Sequence, residues 1–419
     1  MDNPRMQVYL SSMPSDNSRF LDRSTPPHVV TLVLLTAVST LGMNVFLPSL
    51  PGMAEYFGSD YSVLQLSVGI YLAASAVLQT LIGPISDKLG RRPVLLWGIV
   101  LFMLATLGCI FAPNVTVFLI FRMCQAVVAV GMVLGRAAVR DLYDTDKAAS
   151  MIGYITMAMA VVPMAAPAVG GALDEWFGWK ANFWLLFVSA GLVFLITWLD
   201  FRETKSSSGL SLAAQFAEYP ELLRSPRFWG YSLTAAFVSG AFFAYLGGGP
   251  KVGTDVFDMT PARLGLFLGA PAVGYAIGNG FSGYFSQRVG INRMIITGCI
   301  IVTAGLTVSL GLFLLGVGTE YTFFGFMTFV GLGNGMTLPN ATAGMMSVRP
   351  HLAGTASGLG GSLMLAGGAL LSILAGHLLD IFDGALPLLW TMLTTSVLGL
   401  ICMFLVLLRE RQLQRLPVS

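Results

Sequence analysis

Twelve apolar segments set the strongest constraint on how this chain of 419 residues can fold. Each is about 20 residues long, the length of helix that crosses a hydrocarbon layer of about 30 Å. The composition agrees, because 55% of the residues are hydrophobic and 11% are charged, against about 25% charged residues in soluble domains. We therefore predict an all-α, polytopic membrane protein with twelve transmembrane helices. The segments lie at residues 29–50, 62–82, 94–112, 116–138, 149–172, 182–200, 228–247, 263–284, 294–316, 321–346, 354–378 and 386–408.

The connections between these segments are short, except for one polar stretch at residues 201–227. We expect this stretch to be a cytoplasmic linker between an N-terminal six-helix bundle at residues 28–200 and a C-terminal six-helix bundle at residues 228–408. Residues 1–27 are polar and lack the short apolar core of a cleaved signal peptide. We expect residues 1–27 to form a disordered cytoplasmic tail and residues 409–419 to form a cytoplasmic tail at the other end.

The positions of the lysines and arginines predict the orientation. Of the 23 such residues, 18 fall in the two tails, the linker and the loops that share their side, and two lie inside the fourth segment. The other side holds only Lys180, Lys251 and Arg263. Because cytoplasmic loops of membrane proteins are rich in lysine and arginine, we expect both termini and the linker to be cytoplasmic.

The second half of the sequence repeats part of the first at a distance of 200 residues without a gap. Several positions are identical across this stretch, and Asp87 is replaced by Gln287. In the first half the identical positions include 57, 64, 69, 76, 83, 86 and 90. Internal repeats of this kind are typical of secondary transporters, which place the substrate site between the repeats near the middle of the membrane.

A short charged loop joins the second and third segments. Gly90 permits a tight turn, and the carboxylate of Asp87 can dock on a helix N-terminus, whose dipole and free N–H groups attract it. The glycines, the carboxylate and the cations of the loop are Gly83, Asp87, Lys88, Gly90, Arg91 and Arg92.

Arg122 lies well inside the fourth segment, with Gln125 one helical turn later. A cation at such a position costs about 2.5–3.5 kcal/mol on insertion scales, so it normally faces a polar cavity or pairs with polar groups. Asn44 in the first segment is a further polar side chain of this kind. These three residues are our candidates for polar groups that face a cavity.

The fifth segment contains Pro163 and Pro167, one helical turn apart, followed by Gly170 and Gly171. Each proline removes a backbone hydrogen bond and favours a bend. The glycines have no side chain and allow another helix to approach closely. We therefore predict a bent helix in close contact with a neighbour.

Together, these motifs resemble the major facilitator superfamily, and within it the drug:proton antiporters of the bicyclomycin- and chloramphenicol-resistance (Bcr/CflA) type. The resemblance covers residues 28–408. It implies two pseudo-symmetric six-helix bundles that rock to expose a drug site to either side of a bacterial inner membrane. It also implies antibiotic efflux by proton antiport, driven by the proton gradient without a cofactor or metal, by a protein that is not an enzyme and works as a monomer.

The resemblance also implies roles for the motif residues. Asp87 would dock on the start of the eleventh helix, near residues 352–355, and close the cytoplasmic gate. Arg122 would take part in proton or substrate coupling beside the central cavity. The bend made by Pro163 and Pro167 would seal the site against ion leak.

Asn44 is a departure from the family pattern, because close relatives often have a titratable aspartate at this position. None of the 21 aspartates and glutamates in the sequence falls near the middle of a segment. Proton coupling could therefore run through Asp87, Asp141 or the pair His377 and Asp380, or it could be absent.

The remaining cavity candidates are polar side chains spread over both halves, and they suit an amphipathic, uncharged or weakly charged drug. They are Tyr71, Gln79, Tyr154, Tyr245, Asn279, Asn334 and Asn340. A facilitator or uptake carrier for a small metabolite is the alternative that Asn44 leaves open. A membrane enzyme or sensor is disfavoured, because the three histidines have no metal-ligand spacing and no nucleophile–base set or signalling domain is visible. The net charge of +2 gives no indication of nucleic-acid binding.

Overall fold

A computed structural model of the chain describes residues 18–142, 145–204, 219–349 and 352–415. Within these ranges the chain forms α-helices and short 3₁₀ turns and no β-strand. Before the linker the helices are α1 (Val29–Asn44), α2 (Leu50–Phe57), α3 (Tyr61–Leu89), α4 (Arg91–Ile110), α5 (Val115–Cys124), α6 (Ala129–Leu142), α7 (Thr145–Phe177) and α8 (Lys180–Asp200). After the linker they are α9 (Pro226–Asp255), α10 (Pro261–Leu268), α11 (Ala270–Val289), α12 (Ile291–Leu314), α13 (Glu320–Val348), α14 (Ala353–Ile381) and α15 (Leu386–Arg415).

These helices confirm the predicted all-α membrane architecture. In the described part of the chain, ten helical segments are long and apolar enough to cross a membrane. The two remaining predicted segments, the fifth and the tenth, coincide with the long helices α7 and α13. The fourth and eighth predicted segments are each built from two helices, α5 with α6 and α10 with α11. The first span is longer than predicted, because α2 continues the path of α1 from residue 50 to residue 57.

The two sides of the helix array are named here by the glycine turns that they carry. The Gly90 side is the one at which α3 ends and α4 begins, and the Gly178 side is the one at which α7 ends and α8 begins. All six glycines with positive φ in the described ranges lie in turns, including those at Gly90, Gly178 and Gly290. Such values suit glycine because it has no Cβ to clash with the backbone.

Helices from opposite halves of the sequence pack closely on one another in two places. α3 lies along α14, and α7 lies along α10. Along α3 and α14, polar contacts extend from Ser62 and Asp380 to Thr80 and Ser362, whose hydroxyl oxygens are 2.7 Å apart. The division into two bundles at residues 201–227 stays a prediction, because residues 205–218 lie outside the described ranges.

Residues 18–28 make a defined approach to α1, so the predicted disordered tail does not cover all of residues 1–27. The buried carboxylate of Asp200, at the end of α8, accepts hydrogen bonds from the backbone N–H groups of Leu21 and His28, both at 2.8 Å. It also accepts one from the hydroxyl of Thr31 at 2.7 Å. This carboxylate ties the chain before α1 to the end of the sixth predicted segment. A sequence pattern does not reveal a contact between residues so far apart.

Candidate functional site

A break in the fourth predicted segment places Arg122. Helix α5 ends at Cys124, a 3₁₀ turn covers Gln125–Val128, and α6 continues from Ala129. A 3₁₀ stretch within a helix often marks a hinge or a functional position. Arg122 lies in the last turn before this break and is 1% exposed, which makes it the largest fully buried side chain in the described residues.

The Arg122 guanidinium is held between two aromatic rings. Its central carbon is 4.3 Å from the ring centroid of Phe46 and 4.2 Å from that of Tyr71. Rings at this distance attract a cation through their negative faces, by about 2 kcal/mol or more when the pair is desolvated. The rings come from the connection after α1 and from α3, so the arginine joins three helical segments.

Hydrogen bonds complete the surroundings of Arg122. Its Nη1 donates to Gln125 Oε1 at 2.7 Å, and its Nε donates to the carbonyl of Ser67 at 3.3 Å. The amide of Gln125 in turn donates to the hydroxyl of Thr106 on α4 at 2.8 Å. We refer to Arg122, Gln125, Phe46, Tyr71 and Thr106 as the arginine cluster.

The arginine cluster carries a buried positive charge that is balanced by rings and carbonyl groups. Within the described part of the chain, no carboxylate forms an ion pair with Arg122. The structure thus brings together three predicted residues, Arg122, Gln125 and Tyr71. Asn44 is also buried, but its side chain donates to the carbonyl of Thr40, one turn earlier in α1, at 2.8 Å.

The glycines of the fifth predicted segment lie at close helix crossings, as predicted. A Cβ added at Gly170 would collide with the carbonyl of Val45, and one added at Gly171 would collide with that of Pro261. Across the same crossing, a Cβ at Gly265 of α10 would collide with the carbonyl of Pro167. The backbones of α7 and α10 therefore touch where Pro167 interrupts the hydrogen-bond ladder of α7. Pro163 lies one turn earlier in the same helix.

The charged loop forms its tight turn at Gly90, where φ is 97° and ψ is 146°. Glu203, just beyond α8, accepts hydrogen bonds from the backbone N–H groups of Arg91 and Arg92 at 2.9 and 3.2 Å. In the other direction, the Nε of Arg92 in α4 donates a hydrogen bond to the carbonyl of Phe201, after the end of α8, at 2.8 Å. Each helix end therefore satisfies backbone groups of the other.

Sequence reasoning missed Glu203, although one signal was present. An acid directly after a predicted segment, on the same side as a cluster of arginines, is a natural partner for the start of the third segment. Lys88 and Gly83 are both in α3, where the Lys88 side chain is exposed and a Cβ at Gly83 would meet no atom within 4 Å. The side chain of Asp87 lies outside the described part of the structure, as do residues 350 and 351. The predicted docking of Asp87 therefore stays a prediction.

The other cavity candidates are spread over the molecule, and several bond to backbone carbonyls. Tyr245 donates to the carbonyl of Phe267 at 3.4 Å, and Asn279 donates to that of Tyr275 at 2.9 Å. Gln79 faces α14, since its Oε1 is 3.8 Å from a Cβ added at Gly361.

Two further candidates, Asn334 and Asn340, are buried in α13. Asn334 donates to the carbonyl of Val330 at 2.8 Å, and Asn340 donates to the hydroxyl of Ser282 at 2.8 Å. The side chains of Tyr154 and Asp141 lie outside the described residues. An open groove of about 310 Å³ contains none of these candidates; it is lined by Leu266, Phe267, Ala270, Tyr321, Phe324 and Gly325.

Asp380, which was considered together with His377 for proton coupling, has a different partner in the structure. Asp380 pairs with Lys251 of α9, with 2.8 Å between Oδ1 and Nζ, and also accepts a hydrogen bond from the backbone N–H of Ser62 at 3.3 Å. His377 is exposed one turn earlier in α14. The two acids Glu203 and Asp380 thus each bind the start of another helix.

Comparisons with known proteins agree with this architecture. The profile of the Major Facilitator Superfamily matches residues 32–370. The chain is 30% identical to the uncharacterized MFS-type transporter YdgK of Bacillus subtilis, over 89% of this chain and 93% of that protein. It is 29% identical to multidrug resistance protein D of Escherichia coli, over 87% and 92% of the two chains.

A third relative is the chloramphenicol resistance protein of Pseudomonas aeruginosa, 28% identical over 89% of this chain and 90% of that protein. Among solved structures, the fold resembles a bacterial homologue of the human lysosomal transporter Spinster in an inward-facing, occupied conformation. That comparison has a TM-score of 0.70 at 18% identity and covers 91% of this chain and 96% of the other.

Proposed function

The chain belongs to the Major Facilitator Superfamily of transporters, and on that basis we propose that it exports small amphipathic drugs across the bacterial inner membrane. The observation that carries the proposal is its similarity, over most of both chains, to relatives named for chloramphenicol and multidrug resistance. Phenicols and bicyclomycin-type antibiotics are therefore the substrates that we propose first.

The arginine cluster supports a transport role rather than a purely structural one. A fully buried arginine without a carboxylate partner is costly in a membrane, and such residues normally mark a substrate or ion pathway. In the proposed cycle, Arg122 holds a polar group of the drug or responds to a proton near the site. The rings of Phe46 and Tyr71 are buried against the guanidinium, so this role requires the cluster to open during the cycle.

We further propose that transport proceeds by alternating access and is driven by proton antiport. Both termini and the Gly90 side then face the cytoplasm, as the distribution of lysines and arginines indicates. The protein works as a monomer, without a cofactor, and catalyses no chemical reaction. Because no segment carries an acid near its middle, the coupling candidates are acids near segment ends, namely Asp87, Asp141 and the pair His377 and Asp380.

Drug accumulation in cells tests this proposal directly. Cells that express the chain should accumulate less chloramphenicol than cells with an empty vector, and a protonophore should abolish the difference. Arg122→Gln should lose most of the efflux, because glutamine cannot keep the charge between the two rings. The matched control is Arg263→Gln, which removes an exposed arginine, and it should retain efflux.

The second candidate is a facilitator or uptake carrier for a small metabolite, which Asn44 favours because its amide is buried and cannot titrate. The same cells discriminate between the two functions. Unchanged accumulation of phenicols and other amphipathic antibiotics would contradict export. Efflux that survives the protonophore would keep export and reject proton coupling.

A further inference from the structure

Two carboxylates on the Gly178 side bind the first turns of helices from the other half of the sequence. Asp380, in the last turn of α14, accepts a hydrogen bond from the backbone N–H of Ser62 at the start of α3, at 3.3 Å. Glu175, in the last turn of α7, accepts one from the N–H of Ala262 at the start of α10, at 3.2 Å. Each carboxylate therefore spans the boundary between the two halves.

The two contacts are related by the internal repeat. Ser62 and Ala262 are 200 residues apart, the same offset that aligns the two halves of the sequence. The two acids are 205 residues apart and lie in the last turns of α7 and α14, the helices of the fifth and eleventh predicted segments, which are equivalent in the two halves. The repetition of one contact at two equivalent places argues against an accidental surface hydrogen bond.

Both acids occupy positions that are unfavourable for their own helices. The C-terminal end of a helix carries partial negative charge, so an acid in the last turn is repelled, whereas an acid at an N-terminus is attracted. Asp380 and Glu175 are therefore stabilised by the helix starts of the other half and not by α14 and α7. Separation of the halves on this side would remove that compensation.

The two contacts differ in their surroundings. Asp60, the N-cap residue of α3, makes no capping hydrogen bond with its side chain, so Asp380 supplies the hydrogen-bond acceptor that this helix start does not receive from its own N-cap. Asp380 also pairs with Lys251 at 2.8 Å. At the start of α10, Thr260 already caps the helix through its hydroxyl. We therefore expect the Asp380 contact to contribute more than the Glu175 contact.

Further contacts between the two halves of the sequence lie close to Asp380. The hydroxyl of Tyr61 donates to the carbonyl of Gly247 at 2.7 Å, and the ammonium group of Lys251 lies 5.4 Å from the ring centroid of Tyr61. One turn deeper, the amide of Gln65 donates to the carbonyl of Ser372 on α14. The start of α3 is thereby fastened to both α9 and α14.

We propose that Asp380 and Glu175 are a symmetry-related pair of latches that hold the Gly178 side of the transport path closed. The latches release when the halves separate on that side during the cycle. This inference depends on the proposed function in one respect, namely that the halves move by alternating access.

The test measures how accessible the closed interface is in the absence of drug. Ser372 is fully buried on α14 against Gln65, so a cysteine at this position reports opening. The four native cysteines are first replaced by alanine or serine. The rate of maleimide labelling of Ser372→Cys is then measured on purified protein in detergent, where both sides are accessible.

Asp380→Ala should raise the labelling rate by roughly five- to thirtyfold, the change that a contact of one or two kcal/mol makes in a population ratio. Asp380→Asn keeps an acceptor for the Ser62 N–H but loses the charge, so it should give an intermediate rate. Glu175→Ala should give a smaller increase. The double variant should label faster than either single variant.

Glu320→Gln is the matched control, because Glu320 forms an ion pair with Arg263 on the same side but within the second half of the sequence. It should leave labelling unchanged, and size-exclusion elution identifies any variant that fails to fold. Parent-like labelling of folded Asp380→Ala and Asp380→Asn would overturn the proposal. An effect of Asp380→Ala without any effect of Glu175→Ala would overturn the pairing of the latches. Because no drug is present, failure of drug export in cells is a separate result.

Discussion

The turns at Gly90 and Gly290 occupy equivalent positions in the repeat and have nearly the same backbone conformation. φ and ψ are 97° and 146° at Gly90, and 90° and 149° at Gly290. Their surroundings differ. At Gly90 the carboxylate of Glu203 is so close that a Cβ would lie 2.7 Å from its Oε2, whereas a Cβ at Gly290 would meet no atom within 4 Å.

The second half of the sequence supports the same region in another way. Asn292, the counterpart of Arg92, donates its amide hydrogen to Glu410 near the end of α15. Glu410 also accepts hydrogen bonds from Arg227 at 2.8 Å and Tyr231 at 3.0 Å. In the first half an acid binds the backbone of the turn, and in the second half an acid binds side chains around it. A repeat thus preserves the shape of a turn while its stabilising contacts change.

The largest expected effect is the difference in thermal stability between alanine substitutions at Gly90 and at Gly290. Both Gly90→Ala and Gly290→Ala place a side chain at a φ and ψ that cost about 1–3 kcal/mol. Only Gly90→Ala also displaces Glu203 from the start of α4, so it should lower the midpoint of thermal unfolding in detergent further. Equal shifts for the two variants would show that the contact with Glu203 contributes little.

Removal of the acid is expected to have the next largest effect. Glu203→Ala leaves the N–H groups of Arg91 and Arg92 without their acceptor, at a cost of about 1 kcal/mol, as for other helix caps. Thermal unfolding of the purified variant measures this cost. Glu221→Ala serves as the control, because Glu221 forms an exposed ion pair with Arg349, and such pairs contribute little. A Glu221→Ala shift as large as that of Glu203→Ala would contradict the capping role.

Arg92→Lys tests the reciprocal contact and should have a smaller effect. The Arg92 guanidinium donates to two carbonyl groups at the end of α8, those of Phe201 and Trp198. Lysine keeps the charge but lacks the planar fork that reaches both, so we expect a loss of about 0.5–1.5 kcal/mol, that of one hydrogen bond. Arg288→Lys, in the second half, should shift the unfolding midpoint less. A larger shift of the unfolding midpoint for Arg288→Lys than for Arg92→Lys would place the stronger arginine contact at the Gly290 turn.

The smallest expected effect comes from restoring the missing acid. Gln287 is exposed near the end of α11, where a negative charge is repelled by the helix dipole by about 0.3–1 kcal/mol. Gln287→Asp should therefore lower stability slightly in the same unfolding measurement. Increased stability would reveal a docking partner at the Gly290 turn and remove the asymmetry between the halves.

The helical architecture was predictable because it depends on local properties of the sequence. Within the described residues, apolar segment length located the helices that cross the array, and the cost of burying a cation indicated Arg122 in advance. Gly90 was identified as a tight turn for the same reason, since positive φ is largely a property of glycine.

The partners of these residues were not predictable from such patterns. Glu203 binds a backbone group 112 residues away, and Asp380 binds one 318 residues away. Segment length and charge distribution do not encode which helix ends meet, because tertiary packing decides it. The amides of Asn44 and Asn279 bond within their own helices, a choice that depends on the space around each side chain. The break at Gln125–Val128 was also missed, since the apolar pattern continues across it.

The surroundings of Arg122 also bear on how the protein is made. Its ring partners, Phe46 and Tyr71, and the carbonyl of Ser67 all precede it in the chain. Chains emerge from the ribosome N-terminal end first, so we expect these groups to enter the membrane before the fourth segment does. The arginine then meets its two rings and a carbonyl acceptor as it inserts, and these contacts offset part of the free-energy cost of inserting a cation. A circular permutant in which the first three segments are synthesised after the fourth should therefore have impaired biogenesis, even if the final contacts are unchanged.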